Sequence, residues 1–487
     1  MLHFFLGHPS KDYDMMLDEV IECNIGSVVA PAGCGKTQLI IDILSIKQSK
    51  PYLVLTHTTA GVSALKRRLR NLKVPAENYV VTTIDGWSLR IANSFPRSCP
   101  IQYSMDNERL FYPELRQVVL HFLNTGALNQ IVKASYSKLF VDEYQDCNSE
   151  QHAMVVSLSS IVPTVVFGDP MQCIFDFRNA VMPNWESDVQ RIFPLIGTLN
   201  TPWRWNNAKA AQLGLWVLEA RELLKQNKTI DLLTCPNHIF WHTLTGNTQI
   251  DLTNQRHEQH SILNRFPTDS LLVIGSSVNE LSRHKYAQGS SRIEVVEKVS
   301  LETVIAAARQ FDLLHGQALV DAILQVASTM LTNVEIPQTT RRIETILSGR
   351  SRSPVTLSEQ AFCNIVANSS RHNILAALQQ LELKQGTRLY RRSAYTALKD
   401  TISLSISVPE KTISEAASIV RERVRQEGDR RIPNRAIGST LLLKGLEADH
   451  CLILDAQGQG MNARHLYVAL SRGAKTVTIF SKYQHIG

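Results

Sequence analysis

The stretch Ala30 to Ile40, APAGCGKTQLI, follows the apolar run SVVAP and constrains the fold more than any other part of the chain. A tight loop through Gly33 and Gly35 can turn its backbone N–H groups onto a phosphate at a helix N-terminus. Lys36 can reach the outer phosphates, and the Thr37 hydroxyl can ligate magnesium. Such a P-loop works between a buried strand and the first turn of a helix, so it predicts an α/β layer. It departs from the strict pattern in having Ala30 where the first glycine stands. A glycine string of this kind also occurs as a plain surface turn, but the strand-like run before it and the helix-like run after it argue otherwise.

The rest of the chain keeps the same rhythm. SVVAP, YLVLT, KLFVDE and TVVFGD are short β-branched bursts, each followed by polar or helical sequence, as buried parallel strands are. A second set, LLVIGSS, HCLILDA and KTVTIFS, comes late, and a helical-looking region from Leu301 to Arg431 separates them. Two α/β cores are implied, which suits 487 residues, a length too great for one core. RSRSP, beginning at Arg350, is the best loop or hinge candidate. The eight cysteines are scattered without a CxxC pair, which argues against a disulfide framework or a zinc site and fits a reducing cytosol. No targeting signal is visible, and no apolar stretch approaches the roughly 18 residues of a membrane span. A formal charge of +7 permits a polyanionic partner without demanding one.

LFVDEYQDCN, from Leu139 to Asn148, crowds Asp142, Glu143 and Asp146 after an apolar run. An acid-rich run is usually a solvated loop, but a strand entering directly into two acids needs a positive partner. Magnesium and Lys36 supply it. Asp142 at the strand end would hold Mg²⁺ through water, and Glu143 would polarise the water attacking a γ-phosphate. These are the parts of an ATPase.

Stretches recurring in order along most of the chain then resemble the motifs of the UvrD/Rep/PcrA branch of superfamily 1 DNA helicases. Besides the P-loop and VDEYQD they are THTTAGVSALKRRL, TIDGWSLRI, GDPMQCIFDFRNA, LNTPWRW, STLLLKGLEADH and HLYVALSRG, and THTTAGVSALKRRL and TIDGWSLRI look like the family's DNA-contact motifs. The resemblance makes Gln172 a sensor of the γ-phosphate, and Arg204 and Arg472 arginine fingers reaching it from across an interdomain cleft. It places Trp203 on the adenine face and Glu447 on the ribose. The family's upstream glutamine, which reads the adenine edge, has no counterpart, since no Gln precedes Gln38; GTP and dNTPs are therefore expected beside ATP. For single-stranded DNA, Thr56, Thr58 and Thr83 would supply hydroxyls, and His57, Trp87 and Phe177 stacking faces. His57 stands where the family usually has phenylalanine, Asp85 where it often has histidine, Leu441 for another histidine and Ala448 for an aromatic.

The fold implied is α/β, two RecA-like P-loop NTPase domains with reduced, mostly helical insertions. Domain 1A is expected over 1–95 and 136–205, a small 1B insertion over 96–135, domain 2A over 206–300 and 432–487, and a helical 2B-like insertion over 301–431. The chain is expected to leave no room for a fused nuclease after the last motif. This compact layout is similar to the helicase-like subunits of Gabija anti-phage systems, whose partner is an OLD-family nuclease with a TOPRIM domain. Three functions compete. One is a DNA-stimulated ATPase that translocates along or unwinds DNA 3′ to 5′ in repair or replication, and another an NTP-driven subunit of a defence complex, in which DNA ends trigger hydrolysis and switch a partner nuclease. The third, a non-catalytic binding module, is disfavoured because Lys36, Asp142, Glu143, Gln172, Arg204 and Arg472 are all present.

Overall fold

The computed structural model describes residues 11–105, 107–175, 181–298, 300–427 and 433–487, and these divide into two compact units. The first gathers the described residues up to Ile239 with Asn462–Thr476 and His485–Gly487. The second comprises Phe240–Met461 and Val477–Gln484.

The first unit is built on six strands: β1 Ile25–Val29, β2 Tyr52–Thr56, β3 Tyr79–Thr83, β4 Leu139–Val141, β5 Thr164–Gly168 and β6 Leu195–Thr198. They order as β3-β2-β4-β5-β1-β6, and every pairing is parallel. Helices cover both faces, so β2, β4 and β5 are buried throughout, which is why they read as unbroken apolar runs. Strand alternation divides the side chains between two cores. Val28, Val54, Phe140 and Phe167 pack with Leu39, Ile40, Leu65 and Leu69 of the helices Lys36–Leu44 and Thr59–Asn71. Leu53, Leu55, Val141 and Val166 face the helices Ile84–Ser94, Glu108–Asn124 and Ser149–Ser159.

Glu108–Asn124 lies within the stretch expected as a 1B insertion. It shares the core of this sheet through Phe111, Leu115, Val119 and Leu123. Arg116 fastens it further, holding both oxygens of Asp85 at 2.7 and 2.8 Å and reaching Glu150 at 3.1 Å. That gives Asp85 a local reason to be acidic where the family often carries histidine. A short antiparallel pair, β7 Ile230–Asp231 with β14 His485–Ile486, completes the unit.

In the second unit β8 Ile239–Thr243, β9 Leu271–Ile274, β10 Glu294–Val295, β11 Arg435–Gly438, β12 Ala448–Ile453 and β13 Gly473–Ser481 form a sheet ordered β10-β11-β9-β12-β13-β8. The unit boundary passes through β8 and β13. The β10-β11, β11-β9 and β9-β12 pairings are parallel. Between β10 and β11 the chain makes seven helices among the described residues, from Glu302–Leu313 to Ile413–Glu427, around one core that includes Phe311, Ile323, Phe362, Leu378 and Leu398. Arg391 ties this helical part to Glu297 at 2.6 and 2.9 Å. RSRSP is a loop, as expected, but it is no free hinge. Arg342 binds Ser351, the Ser353 and Pro354 carbonyls and Glu359, all within 3.0 Å, so the turn is fixed inside the helical part.

The architecture is therefore mixed α/β with parallel sheets. Among the described residues no cysteine is joined in a disulfide, and no helix is long and apolar enough to cross a membrane.

Candidate functional site

Parallel strands all point the same way, so the segments leaving their carboxyl ends gather along one edge of the sheet, where ligands of such sheets bind. The P-loop leaves β1, His57 and Thr58 leave β2, Asp142 and Glu143 leave β4, Asp169 to Gln172 leave β5, and Leu199 to Arg204 leave β6. Topology alone thus brings most of the expected residues together.

The P-loop needs its glycines. Gly33 and Gly35 have φ of 72° and 93°, a left-handed conformation that costs other residues about 1–2 kcal/mol. They also lack space for a side chain. A Cβ on Gly33 would lie 2.8 Å from the Trp205 ring and 2.9 Å from Arg204 Cβ, and one on Gly35 would lie 3.1 Å from Trp203 Cδ1. The segment after β6 is therefore pressed against the loop, and the Arg204 N–H donates to the Gly33 carbonyl at 3.1 Å. Trp203 beside Gly35 is only partly buried, whereas Trp205 is fully buried and donates from Nε1 to the Gly473 carbonyl at 2.8 Å.

The Lys36 ammonium sits 2.7 Å from Asp142 Oδ1 and also pairs with Glu143 Oε1. Burial draws Lys36 down, but Asp142 and then Glu143 outweigh it, so the pKa is raised and the ammonium stays charged. Burial pushes the Asp142 carboxyl up, with Lys36 opposing. Two carboxylates around one ammonium leave room for further positive charge. Thr37 at the helix start and Asp142 offer the hard oxygen ligands that magnesium prefers, so the donor set fits that ion. Glu143 has φ of 54°, and its N–H donates to Asp142 Oδ1 at 2.9 Å.

Behind these groups lies a buried polar chain that the sequence reading did not single out. Gln145 donates to Glu143 Oε2, and its Oε1 accepts from the Asp169 N–H at 3.1 Å. The Asp169 carboxylate, 1% exposed, accepts from Gln172 Nε2 at 3.1 Å, from Arg221 Nη2 at 2.8 Å and from the Tyr467 hydroxyl at 2.9 Å. Tyr467 in turn accepts from the Ala32 N–H of the P-loop at 2.9 Å. Burial opposes the Arg221 charge and Asp169 outweighs it, holding the guanidinium protonated. Burial, reinforced by Asp169, pushes the neighbouring Cys34 thiol up to about 12, so this P-loop cysteine is no thiolate nucleophile. Gln145, Asp169 and Tyr467 all lie inside recognisable strings, but only their pairing marks them. Arg221, on the amphipathic helix Ala211–Lys225, gives no sequence signal.

The two finger candidates meet at one residue. Arg204 Nη1 donates to the Ser471 carbonyl at 2.6 Å, and Arg472 Nη2 donates to the Ser471 hydroxyl at 2.6 Å. Arg472 is 2% exposed and belongs to the Asn462–Thr476 segment, which packs in the same compact unit as the P-loop, whereas the expected partition assigned it to 2A. Glu447 lies in the second unit, exposed, immediately before β12.

The expected DNA residues fare unevenly. Thr58 and Thr83 accept from the Gly61 and Gly86 N–H groups at 3.1 and 2.9 Å, so both hydroxyls cap helices. Thr56 is buried and accepts from the Thr58 N–H at 3.4 Å. Trp87 requires a correction. It is 1% exposed and packed in the core, because helical periodicity turns it inward beside Ile84 and Ile91, and it offers no stacking face. His57 is partly exposed and lies 5.6 Å, ring to ring, from Phe175. Phe177 lies outside the described residues. The helix Thr59–Asn71, which follows β2, carries Lys66, Arg67, Arg68 and Arg70, all exposed, in its second half.

Elsewhere, Glu280, His284 and Glu297 bring potential metal ligands within 4.8 Å of one another. Lys298 and Arg391 already pair with the two carboxylates at 2.5 and 2.6 Å, so the cluster is an ion-pair network.

Comparison with known proteins supports the family resemblance. Residues 101–192, which carry Asp142, Glu143 and Gln172, match the UvrD/REP helicase N-terminal domain. A Gabija protein GajB from Bacillus cereus (strain VD045) is 23% identical over 34% of this chain and 40% of its own. A subunit of an ATP-dependent helicase/nuclease from Leuconostoc mesenteroides is 31% identical over 15% of this chain and 6% of its own. The chain thus spans well under two thirds of either relative. It resembles UvrD-like helicases and, among them, GajB.

Proposed function

We propose that the chain is a DNA-dependent NTPase with two RecA-like domains, which hydrolyses ATP to translocate on or unwind DNA in the 3′ to 5′ direction. The observation that carries this is the Lys36 ammonium held between Asp142 at 2.7 Å and Glu143, beside a left-handed glycine loop at the carboxyl edge of a parallel sheet. Nucleotide phosphates displace those carboxylates from Lys36, which then holds the outer phosphates while the loop amides hold the inner ones. Thr37 and Asp142 would hold Mg²⁺, which neutralises charge developing on the phosphates. Glu143, oriented by Gln145, takes the proton of the attacking water. Gln172 orients that water, and Arg204 and Arg472 bring guanidinium charge to the transferred group. Trp203 presents an indole face to the base.

DNA would contact the strand ends at Thr56, His57, Thr58 and Thr83, with phosphates drawn by the four exposed cations of the helix Thr59–Asn71. The similarity to GajB favours the helicase-like subunit of an anti-phage complex, working beside an OLD/TOPRIM nuclease and triggered by DNA ends. A stand-alone repair helicase is the competing role. Co-purification with a nuclease encoded next to the gene separates them.

The test of the chemistry is ATP turnover with single-stranded DNA. Lys36→Ala should lose nucleotide binding and turnover together. Glu143→Gln should bind ATP and lower kcat by about 10²-fold or more, the scale of general acid–base catalysis. Near wild-type turnover by Glu143→Gln would refute the assignment.

A further inference from the structure

Apart from Gln145 and Gln172, the buried chain behind the phosphate site has no role in the chemistry just described. Its centre is the Asp169 carboxylate. Oδ1 accepts from the Met171 N–H at 3.1 Å and from Arg221 at 2.8 Å, and Oδ2 from Gln172 Nε2 at 3.1 Å and Tyr467 at 2.9 Å. A carboxylate gripped on both oxygens by four residues cannot rotate without breaking several charge-assisted bonds. The Tyr467 hydroxyl has one proton to give and gives it to Asp169, while its oxygen accepts the Ala32 N–H at 2.9 Å. Its orientation is therefore determined from both sides. On the other flank, the Asp169 N–H donates to Gln145, which donates to Glu143.

We propose that Tyr467 is a positioning residue whose hydroxyl keeps the P-loop and the Asp169 carboxylate in register, so that Gln172 and, through Gln145, Glu143 are set relative to a phosphate held by the loop. This rests on the NTPase reading above. Packing alone does not require the hydroxyl, because a phenyl ring fills the same buried space and burying a polar chain carries a desolvation cost. What the hydroxyl adds is direction. When the loop takes up a phosphate, any displacement at Ala32 is transmitted through Tyr467 to Asp169, and from there to both water-facing side chains. The same tyrosine lies on the helix Ala463–Leu470, whose C-terminal end leads directly to Arg472, so the finger segment shares the register.

The experiment is steady-state ATP hydrolysis by the full chain with single-stranded DNA, comparing wild type, Tyr467→Phe, Gln145→Met and the double variant. Tyr467→Phe should lower kcat about tenfold, or about 1.4 kcal/mol, leave KM for ATP within about twofold and leave the thermal midpoint within a few degrees. Gln145→Met breaks the same chain at its other end, so the double variant should lose much less than the product of the single losses. Unchanged kcat in Tyr467→Phe, a rise in KM at constant kcat, or independent multiplicative losses would each overturn the proposal. If Tyr467→Phe fails to fold, Gln145→Met still tests the register, because unchanged kcat on breaking its far end overturns it. A wild-type chain that hydrolyses no nucleoside triphosphate overturns the NTPase reading and the register with it. Wild-type hydrolysis with an indifferent Tyr467→Phe overturns the register alone.

Discussion

Replacing Arg221 by methionine removes the guanidinium from a carboxylate that has almost no access to water. Asp169 is 1% exposed, the Arg221 side chain is 6% exposed, and the two meet at 2.8 Å. Methionine keeps most of the volume of the buried stem, so the loss is electrostatic and not a cavity. Breaking a buried pair from one side typically costs about 3–5 kcal/mol, because the remaining charge is uncompensated. Asp169 retains donors from Met171, Gln172 and Tyr467, which places the expected loss at the lower end, about 3 kcal/mol. At roughly 2–4 °C per kcal/mol for a unit of this size, the thermal midpoint of the first unit should fall by roughly 6–12 °C. Differential scanning calorimetry of wild type, Arg221→Met and Arg221→Met with Asp169→Asn measures it. The asparagine removes the orphaned charge while its carbonyl still accepts, so the double variant should recover at least about 1 kcal/mol of the loss. A shift of less than about 2 °C in the single variant, or a double variant no more stable than the single, would show that the carboxylate does not depend on Arg221.

Trp203→Ala should raise KM for ATP several-fold with little change in thermal midpoint, since the indole is only partly buried; an unchanged KM would remove it from the base site. Stacking without an edge-reading glutamine should leave ATP and GTP within about tenfold in kcat/KM, and a thousandfold ATP preference would show that some other group reads the adenine edge. Trp87→Phe should lower stability by about 1–3 kcal/mol and leave the Kd for single-stranded DNA unchanged; weakened DNA binding at unchanged stability would restore Trp87 as a stacking residue. Burial, then Arg391, lowers the His284 pKa to about 4, so between that value and its ordinary 6.5 the unfolded chain binds more protons than the folded one. Stability should therefore fall as pH drops through this window, and His284→Gln should show a smaller fall in thermal midpoint between neutral pH and about pH 5; an identical pH profile would place the titration elsewhere.

Much of the candidate phosphate site was legible because its residues are contiguous. The loop from Ala30 to Thr37 combines glycines that tolerate positive φ, a lysine and a hydroxyl within one turn, and LFVDE carries its acids directly off a buried strand. The helical region after Leu301 was legible for a similar reason, since amphipathic periodicity is local. Trp87 was misread because an aromatic in a contact motif has the same letter whether it faces solvent or core, and only the docking of the helices Glu108–Asn124 and Ser149–Ser159 over that face decides it. The stretch 96–135 was read as a small helical 1B insertion, and what the sequence left open is where its helix docks: Phe111 and Leu115 pack into the sheet's own core, and composition reveals that a helix has an apolar stripe, not which surface receives it.

What the sequence by itself determined is the parallel α/β layer and which candidate residues leave its strand ends together, both consequences of neighbours along the chain and of strand ends that converge in any such sheet. What the tertiary structure alone decided is how those groups are held. Asp169 lies 52 residues from Arg221 and 298 from Tyr467, and Ala32 lies 435 from Tyr467. Hydrogen bonds across such separations leave no periodic trace, because they depend on where folded segments meet and not on which residues adjoin.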